Sequence, residues 1–260
     1  MSRSRSTRLA AGLVALGLGV LSACSTMTPL PQSSSRTMAA EVAGQRLSYL
    51  ASVPQAALAP GEGWPLLLFL HGVGECGEDL ELVRVHGPPK LVGEIPELSH
   101  CVLITPQCPT DSWWRAETLA ALLDEVQARM PIDSNRVYVT GLSMGGYGTW
   151  SLLAHCPDRI AAAVPICGGG DTTRLWDDIP SDFRAERLLA AKDVPVRVFH
   201  GEEDLVVPVG ESRLLVRTLE EAGADIELTV YPGVGHDSWS QTYADPGLYT
   251  WLFAKRRAPR

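Results

Sequence analysis

The sequence predicts an α/β protein: a mostly parallel sheet with helices packed on both faces. Three observations predict it. From about residue 45 onward, short apolar runs alternate with helical patterns. The runs are apolar on both faces, as strands covered from both sides must be. A glycine-rich corner, Gly141-Leu142-Ser143-Met144-Gly145, joins one such run to the helical pattern that follows it.

Taken in order, residues 45–53 read as an antiparallel strand at the sheet edge. Leu66–Leu70, Cys101–Thr105, Val137–Thr140, Ile160–Ile166, Val196–Phe199 and Ile226–Tyr231 read as the remaining strands, each bounded by Gly or Pro. Leu119, Leu122, Leu123, Val126 and Met130 fall on one helical face that stops at Pro131. Leu214, Leu215, Thr218, Leu219 and Ala222 repeat the pattern up to Gly223. The connection from Cys167 to Val194 is too long for an ordinary loop, so it is expected to carry a short helix and to help shape a binding site. No internal repeat and no second domain is visible.

The first residues belong to a different class. Arg3, Arg5 and Arg8 precede the apolar run Leu9–Leu21, and "LSAC" follows. A basic start, a short apolar core and small residues make a secretory signal peptide, with a run too short to favour a membrane span. Leu21-Ser22-Ala23-Cys24 resembles the lipobox of bacterial lipoproteins. That resemblance implies cleavage after residue 23, a diacylglyceryl group on Cys24 and palmitate-type acylation, with the protein held by lipid on the periplasmic side of a membrane or at the cell surface. The expected division is therefore 1–23 signal peptide, 24–43 lipidated cysteine and disordered Ser/Thr/Pro-rich tether, and 44–260 catalytic domain. The tether would reach on the order of 25 Å.

Cleavage removes three arginines and no acids, taking the net charge from −8 to −11. The lack of a basic stripe argues against nucleic acid as a partner, and the anchor is the only membrane contact expected. Oligomeric state is not legible. Cys76, Cys101, Cys108, Cys156 and Cys167 remain, an odd number that permits at most two disulfides of unknown pairing. Their spacings match no zinc pattern, and Glu75, Glu78 and Asp79 read as solvated loop acids, so no metal is expected.

Gly141–Gly145 matches G-x-S-x-G between a strand and a helix, which makes Ser143 the candidate nucleophile. A serine needs a base oriented by a carboxylate. The chain order Ser, acid, His selects His236, in "GVGHDSW" after the last strand. Glu202, Glu203 and Asp204 share the exit loop of Val196–Phe199, and G-x-x-D-x-x-V-P favours Asp204, with Glu203 second. The expected oxyanion donors are the N–H groups of Met144, directly after the nucleophile, and Val73, in the loop after Leu66–Leu70. His71 is expected to buttress that loop without moving protons. Trp113, Trp114, Trp176 and Trp239 lie on loops after strand ends and are candidate substrate-binding residues.

"FLHGVGE", "VHGPPKLV", "PQCP", "GLSMGGYGTW", "HGEEDLVVP" and "YPGVGHDSW" together resemble the dienelactone-hydrolase and prolyl-oligopeptidase-like group of α/β-hydrolases, over roughly residues 60–255. The group includes bacterial carboxylesterases and feruloyl or acetyl xylan esterases. The resemblance implies an α/β-hydrolase sandwich, a small-molecule or polysaccharide-linked ester as substrate, and no cofactor. The chain departs from the group in lacking a propeller domain, and from true dienelactone hydrolases in carrying Ser143 where they carry cysteine. The expected function is a lipid-anchored serine carboxylesterase working through an acyl-enzyme. A serine peptidase on short peptides and a non-enzymatic surface lipoprotein that only binds are the alternatives.

Overall fold

Leu66, Leu68 and Leu70 point to one side of their strand and Leu67 and Phe69 to the other, and each set founds its own core. The computed structural model that displays this describes residues 34–42, 45–54, 61–175, 181, 183 and 185–257. Its strands are β1 (Ser34–Val42), β2 (Gln45–Val53), β3 (Trp64–Leu70), β4 (Val102–Pro106), β5 (Ile132–Leu142), β6 (Ala162–Ile166), β7 (Val196–Gly201) and β8 (Ile226–Tyr231). They form one sheet in the order β1-β2-β4-β3-β5-β6-β7-β8. The β1–β2 and β2–β4 pairings are antiparallel; every pairing from β4 to β8 is parallel.

The helices are α1 (Gly87–Leu91), α2 (Ala116–Arg129), α3 (Met144–His155), α4 (Ala185–Leu188), α5 (Gly210–Glu221), α6 (Trp239–Ala244) and α7 (Pro246–Ala254). On one face, Leu66, Leu68, Leu70, Val137 and Val139 meet Leu119, Leu122 and Val126 of α2, Trp150 and Leu153 of α3, and Leu215 and Leu219 of α5. On the other, Leu67, Phe69, Leu103 and Tyr138 meet Tyr243 of α6 and Leu248, Tyr249 and Leu252 of α7. All seven residues of β3 are buried, which is why its sequence reads as a continuous apolar run. Truncating a fully buried member such as Leu68 to alanine should cost about 2–5 kcal/mol. The sandwich expected from the sequence is thus the observed architecture. The Cys167–Val194 connection carries α4, and Phe183, Leu188 and Ala191 anchor it in the first core.

The expected tether needs correction at its C-terminal end. Ser34–Val42 lies in β1, antiparallel to all nine residues of β2, from Ser34 opposite Val53 to Val42 opposite Gln45. Without β1, the outer edge of β2 would present a row of unpaired N–H and C=O groups. The pairing satisfies them through backbone alone, which a search for apolar periodicity does not detect. The folded unit therefore begins by residue 34, not residue 44. The signal peptide, the run Leu9–Leu21 and Cys24 lie outside the described residues, and no helix among those described is long and apolar enough to cross a membrane.

Candidate functional site

Ser143 sits where β5 ends and α3 begins, with φ 53° and ψ −116°. A left-handed φ on a non-glycine residue stores strain, and the neighbours must allow it. A Cβ on Gly145 would run into the carbonyl oxygen of Leu70, and one on Gly141 into that of Gly145. Neither obstacle is a movable side chain, so the elbow closes only with glycine at both positions. The result is a hydroxyl held clear of the sheet at the N-terminus of α3.

Three loops meet at that hydroxyl. His236 follows β8, and its Nε2 lies 2.9 Å from Ser143 Oγ. Its Nδ1 lies 2.7 Å from Asp204 Oδ2. Asp204 follows β7; its other oxygen accepts the N–H groups of Val206 and Val207, each at 2.9 Å. Glu202 and Glu203 are exposed, whereas the Asp204 side chain is fully buried. Burial alone would raise the Asp204 pKa. Hydrogen bonds from His200, His236 and the Val207 N–H outweigh it and hold the carboxyl well below its ordinary range. The acid therefore stays ionised through the whole neutral range.

The third loop follows β3. Val73–Glu75 form a tight turn whose first N–H, that of Gly72, is donated to Glu75 Oε2 at 2.9 Å. Among the described residues neither the Val73 N–H nor the Met144 N–H is consumed by a hydrogen bond. A helix N-terminus leaves such groups unpaired, and its dipole favours negative charge there. His71 lies fully buried beneath the loop: Nδ1 donates to the Gly72 carbonyl at 2.6 Å and Nε2 accepts the Cys108 N–H at 3.0 Å. Burial lowers its pKa to about 4, so the ring is neutral at working pH.

Sequence reasoning misplaced or missed several groups. Glu75, expected as a solvated acid, is buried and braces the loop through Gly72; only Glu78 and Asp79 are exposed. Its place three residues after a glycine at a turn is the available signal. His200 is fully buried at the end of β7, with Nε2 2.8 Å from the Val207 carbonyl and 3.2 Å from Asp204 Oδ2, and Nδ1 2.7 Å from Ser212 Oγ. It stands on the acid, not on the serine. Trp114, expected to bind substrate, belongs to the core: its indole N–H donates to the His71 carbonyl at 3.1 Å and its ring packs edge-on to His71. Trp113, partly exposed, packs against the same core and is edge-on to Tyr147. Trp239 stands edge-on to His236, centroids 5.3 Å apart, and to His86 at 5.5 Å. Trp176 lies outside the described residues.

Donor atoms of Cys167, Asp204 and His236 fall within 4.8 Å of one another, a spacing a metal would accept. His236 Nδ1 is already committed to Asp204, and burial pushes the Cys167 thiol far above its ordinary range, whereas a metal requires thiolate. This donor set suits a hydrogen-bonded acid–base pair better than a metal. What the arrangement can do chemically is deprotonate Ser143 towards His236, hold the resulting imidazolium on an ionised carboxylate, and offer N–H groups to an oxyanion.

Comparisons with known proteins agree with this fold. A thermostable esterase of known structure is 34% identical, with a TM-score of 0.70 over 86% of this chain and 63% of its own. Carboxylesterase SOBER1 of Arabidopsis thaliana is 25% identical over 201 residues, 65% of this chain and 82% of that protein. A secreted protein of unassigned activity from Arthroderma benhamiae is 29% identical over 205 residues, 66% of this chain. The chain spans only about a fifth, 21%, of that relative's length. The profile of the phospholipase/carboxylesterase family matches residues 114–246, from the segment before α2 through the nucleophile elbow, Asp204 and His236 to the start of α7. The chain therefore belongs to the phospholipase/carboxylesterase family of α/β-hydrolases.

Proposed function

We propose that this protein is an extracytoplasmic serine carboxylesterase, anchored by lipid at Cys24, with Ser143, His236 and Asp204 as its catalytic triad. The observation that carries the reading is the unbroken chain of hydrogen bonds from Asp204 through His236 to Ser143, at 2.7 and 2.9 Å. The esterases among the relatives support an ester as substrate, small or attached to a polysaccharide. The basic, apolar and lipobox-like run up to Cys24 supports export and lipidation.

In the reaction Ser143 Oγ attacks the ester carbonyl as its proton passes to His236 Nε2. The carbonyl oxygen becomes an oxyanion facing the N–H groups of Val73 and Met144. Asp204 stabilises the imidazolium through Nδ1 and keeps the ring in one tautomer. His236 then returns the proton to the leaving alkoxide, leaving an acyl group on Ser143. Water, deprotonated by the same imidazole, releases the acid and restores the serine.

Nitrophenyl acetate assayed beside chromogenic peptides tests the reading. Ester turnover that Ser143→Ala abolishes is expected. Preferential cleavage of peptides would make the protein a peptidase, and turnover of neither would make it a binding module. Fractionation tests the anchor: the native protein should stay with membranes at high salt, and Cys24→Ser should release it.

A further inference from the structure

We propose that Cys76 and Cys108 form a disulfide that clasps the loop carrying Val73 onto the segment leaving β4. Both are free thiols in the structure, and each side chain lies near enough to act on the ionisation of the other. Their backbones are braced beside them: the Gly77 N–H donates to the Cys108 carbonyl at 3.0 Å, and the Cys108 N–H donates to His71 at 3.0 Å. Gln107 Nε2 adds bonds to the carbonyls of Glu75 and Asp79, each 2.9 Å. A disulfide demands that two Cβ atoms already stand close with converging side chains. The backbone bond from Gly77 to Cys108 and the two from Gln107 hold the segments side by side at these residues, as that demand requires.

The remaining thiols differ in kind. Cys101 Sγ lies 3.6 Å from the Leu98 carbonyl and Cys156 Sγ 3.7 Å from the Leu152 carbonyl, each within its own turn of chain. Burial pushes their pKa values up to about 12 and about 11, and that of Cys167 higher still. Cys76 is half-buried, and the hydrogen bond from Cys108 holds its thiol below the ordinary range, against burial and the Glu75 charge. Cys108, the buried partner, is raised correspondingly. A half-buried thiol whose ionisation is favoured by a buried neighbour is the arrangement that thiol–disulfide exchange uses.

The oxidant is a low-molecular-weight or protein disulfide. The Cys76 thiolate attacks one of its sulfurs and expels a thiolate, leaving a mixed disulfide on Cys76. Cys108 gives up its proton and attacks the Cys76 sulfur, expelling the second thiolate. Two protein thiols and one external disulfide become one protein disulfide and two external thiols; two electrons pass to the oxidant and the protons follow. An exported chain would meet such an oxidant, so the proposal rests on the proposed function for its oxidant and for the importance it gives to Val73. The bond would limit the opening of a loop whose position sets an oxyanion donor.

The full chain, equilibrated with oxidised and reduced glutathione, alkylated in denaturant and digested without reductant, tests this. The expected product is a peptide pair linked through Cys76 and Cys108, two hydrogens lighter than the separate peptides, with Cys101, Cys156 and Cys167 alkylated. The thermal unfolding midpoint, read by circular dichroism, should be roughly 5–10 °C higher in the oxidised chain than in the reduced one. Cys76→Ser, at a half-buried position, should fold and lose that difference. Alkylation of both Cys76 and Cys108, a glutathione adduct on Cys76 alone, or pairing of either with another cysteine would overturn the pairing. A Cys76–Cys108 link without a change in midpoint would overturn the clasp. Loss of ester turnover in every form would fault the proposed function and leave the cross-link result standing.

Discussion

Two buried histidines flank the site, and their surroundings are opposite. His71, under the oxyanion loop, accepts a backbone N–H with one nitrogen and donates to a carbonyl with the other, so it is satisfied only when neutral. His200, under the acid, turns Nε2 towards two oxygens, one of them the Asp204 carboxylate, and so must carry its proton there. The histidine of one wall thus makes only neutral hydrogen bonds, and that of the other donates to a charge with further donors gathered around it. Neither ring reaches Ser143. The partly exposed His236 is bonded to serine on one side and acid on the other, the position the proposed mechanism requires of its base.

The largest expected effect breaks the acid wall at its working end. Ser143→Ala and His236→Ala should each lower kcat by a factor on the order of 10⁴ or more, with the fold intact by circular dichroism. Asp204→Asn should cost somewhat less, and Glu203→Gln, at an exposed position, should leave kcat near that of the parent. If Glu203→Gln inactivates and Asp204→Asn does not, the acid has been assigned to the wrong residue.

His200→Leu separates the walls more finely. It removes a donor from an ionised carboxylate without touching the serine, so kcat should fall on the order of ten- to hundredfold with KM unchanged. An unchanged kcat would reduce His200 to packing. On the opposite wall, Glu75→Gln keeps an oxygen for the Gly72 N–H and should be mild, whereas Glu75→Ala frees the loop and should lower kcat more.

The smallest effects are those of pH on stability, and their pH windows differ between the walls. The His71 pKa is depressed in the folded state, from 6.5 to about 4. Its contribution to stability is therefore present above about pH 6.5 and is lost as pH falls towards 4. The Asp204 pKa is also depressed, so its contribution is present above about pH 4, the ordinary carboxylate value, and is lost only below it. The unfolding midpoint should thus decline in two stages, and His71→Gln should flatten the milder one. A midpoint level from pH 7 to 4 would contradict the account of His71.

The acid wall was largely legible in the sequence and the oxyanion wall less so. Strands covered on both faces announce themselves as unbroken apolar runs, as β3 does, and chain order leaves His236 as the one histidine that follows both the serine and the best acid. β1 was not legible because backbone pairing along an edge requires no apolar pattern. Glu75 and His200 were not legible as supports because their partners, the Gly72 N–H and the Asp204 carboxylate, become near only when the chain turns back. Trp114 was misread because the loop position was visible while its partner, the His71 carbonyl, lies far away in the chain.

The most direct test of Ser143 as nucleophile is to trap what it forms. The full chain is mixed with excess nitrophenyl acetate, acid-quenched within the burst phase, digested and mapped by mass. The account predicts an acetyl group on the peptide containing Ser143, absent from Ser143→Ala and accumulating in step with the nitrophenol burst. An acetyl group on another residue, such as the accessible thiol of Cys76, with the Ser143 peptide unmodified and turnover intact, would contradict it.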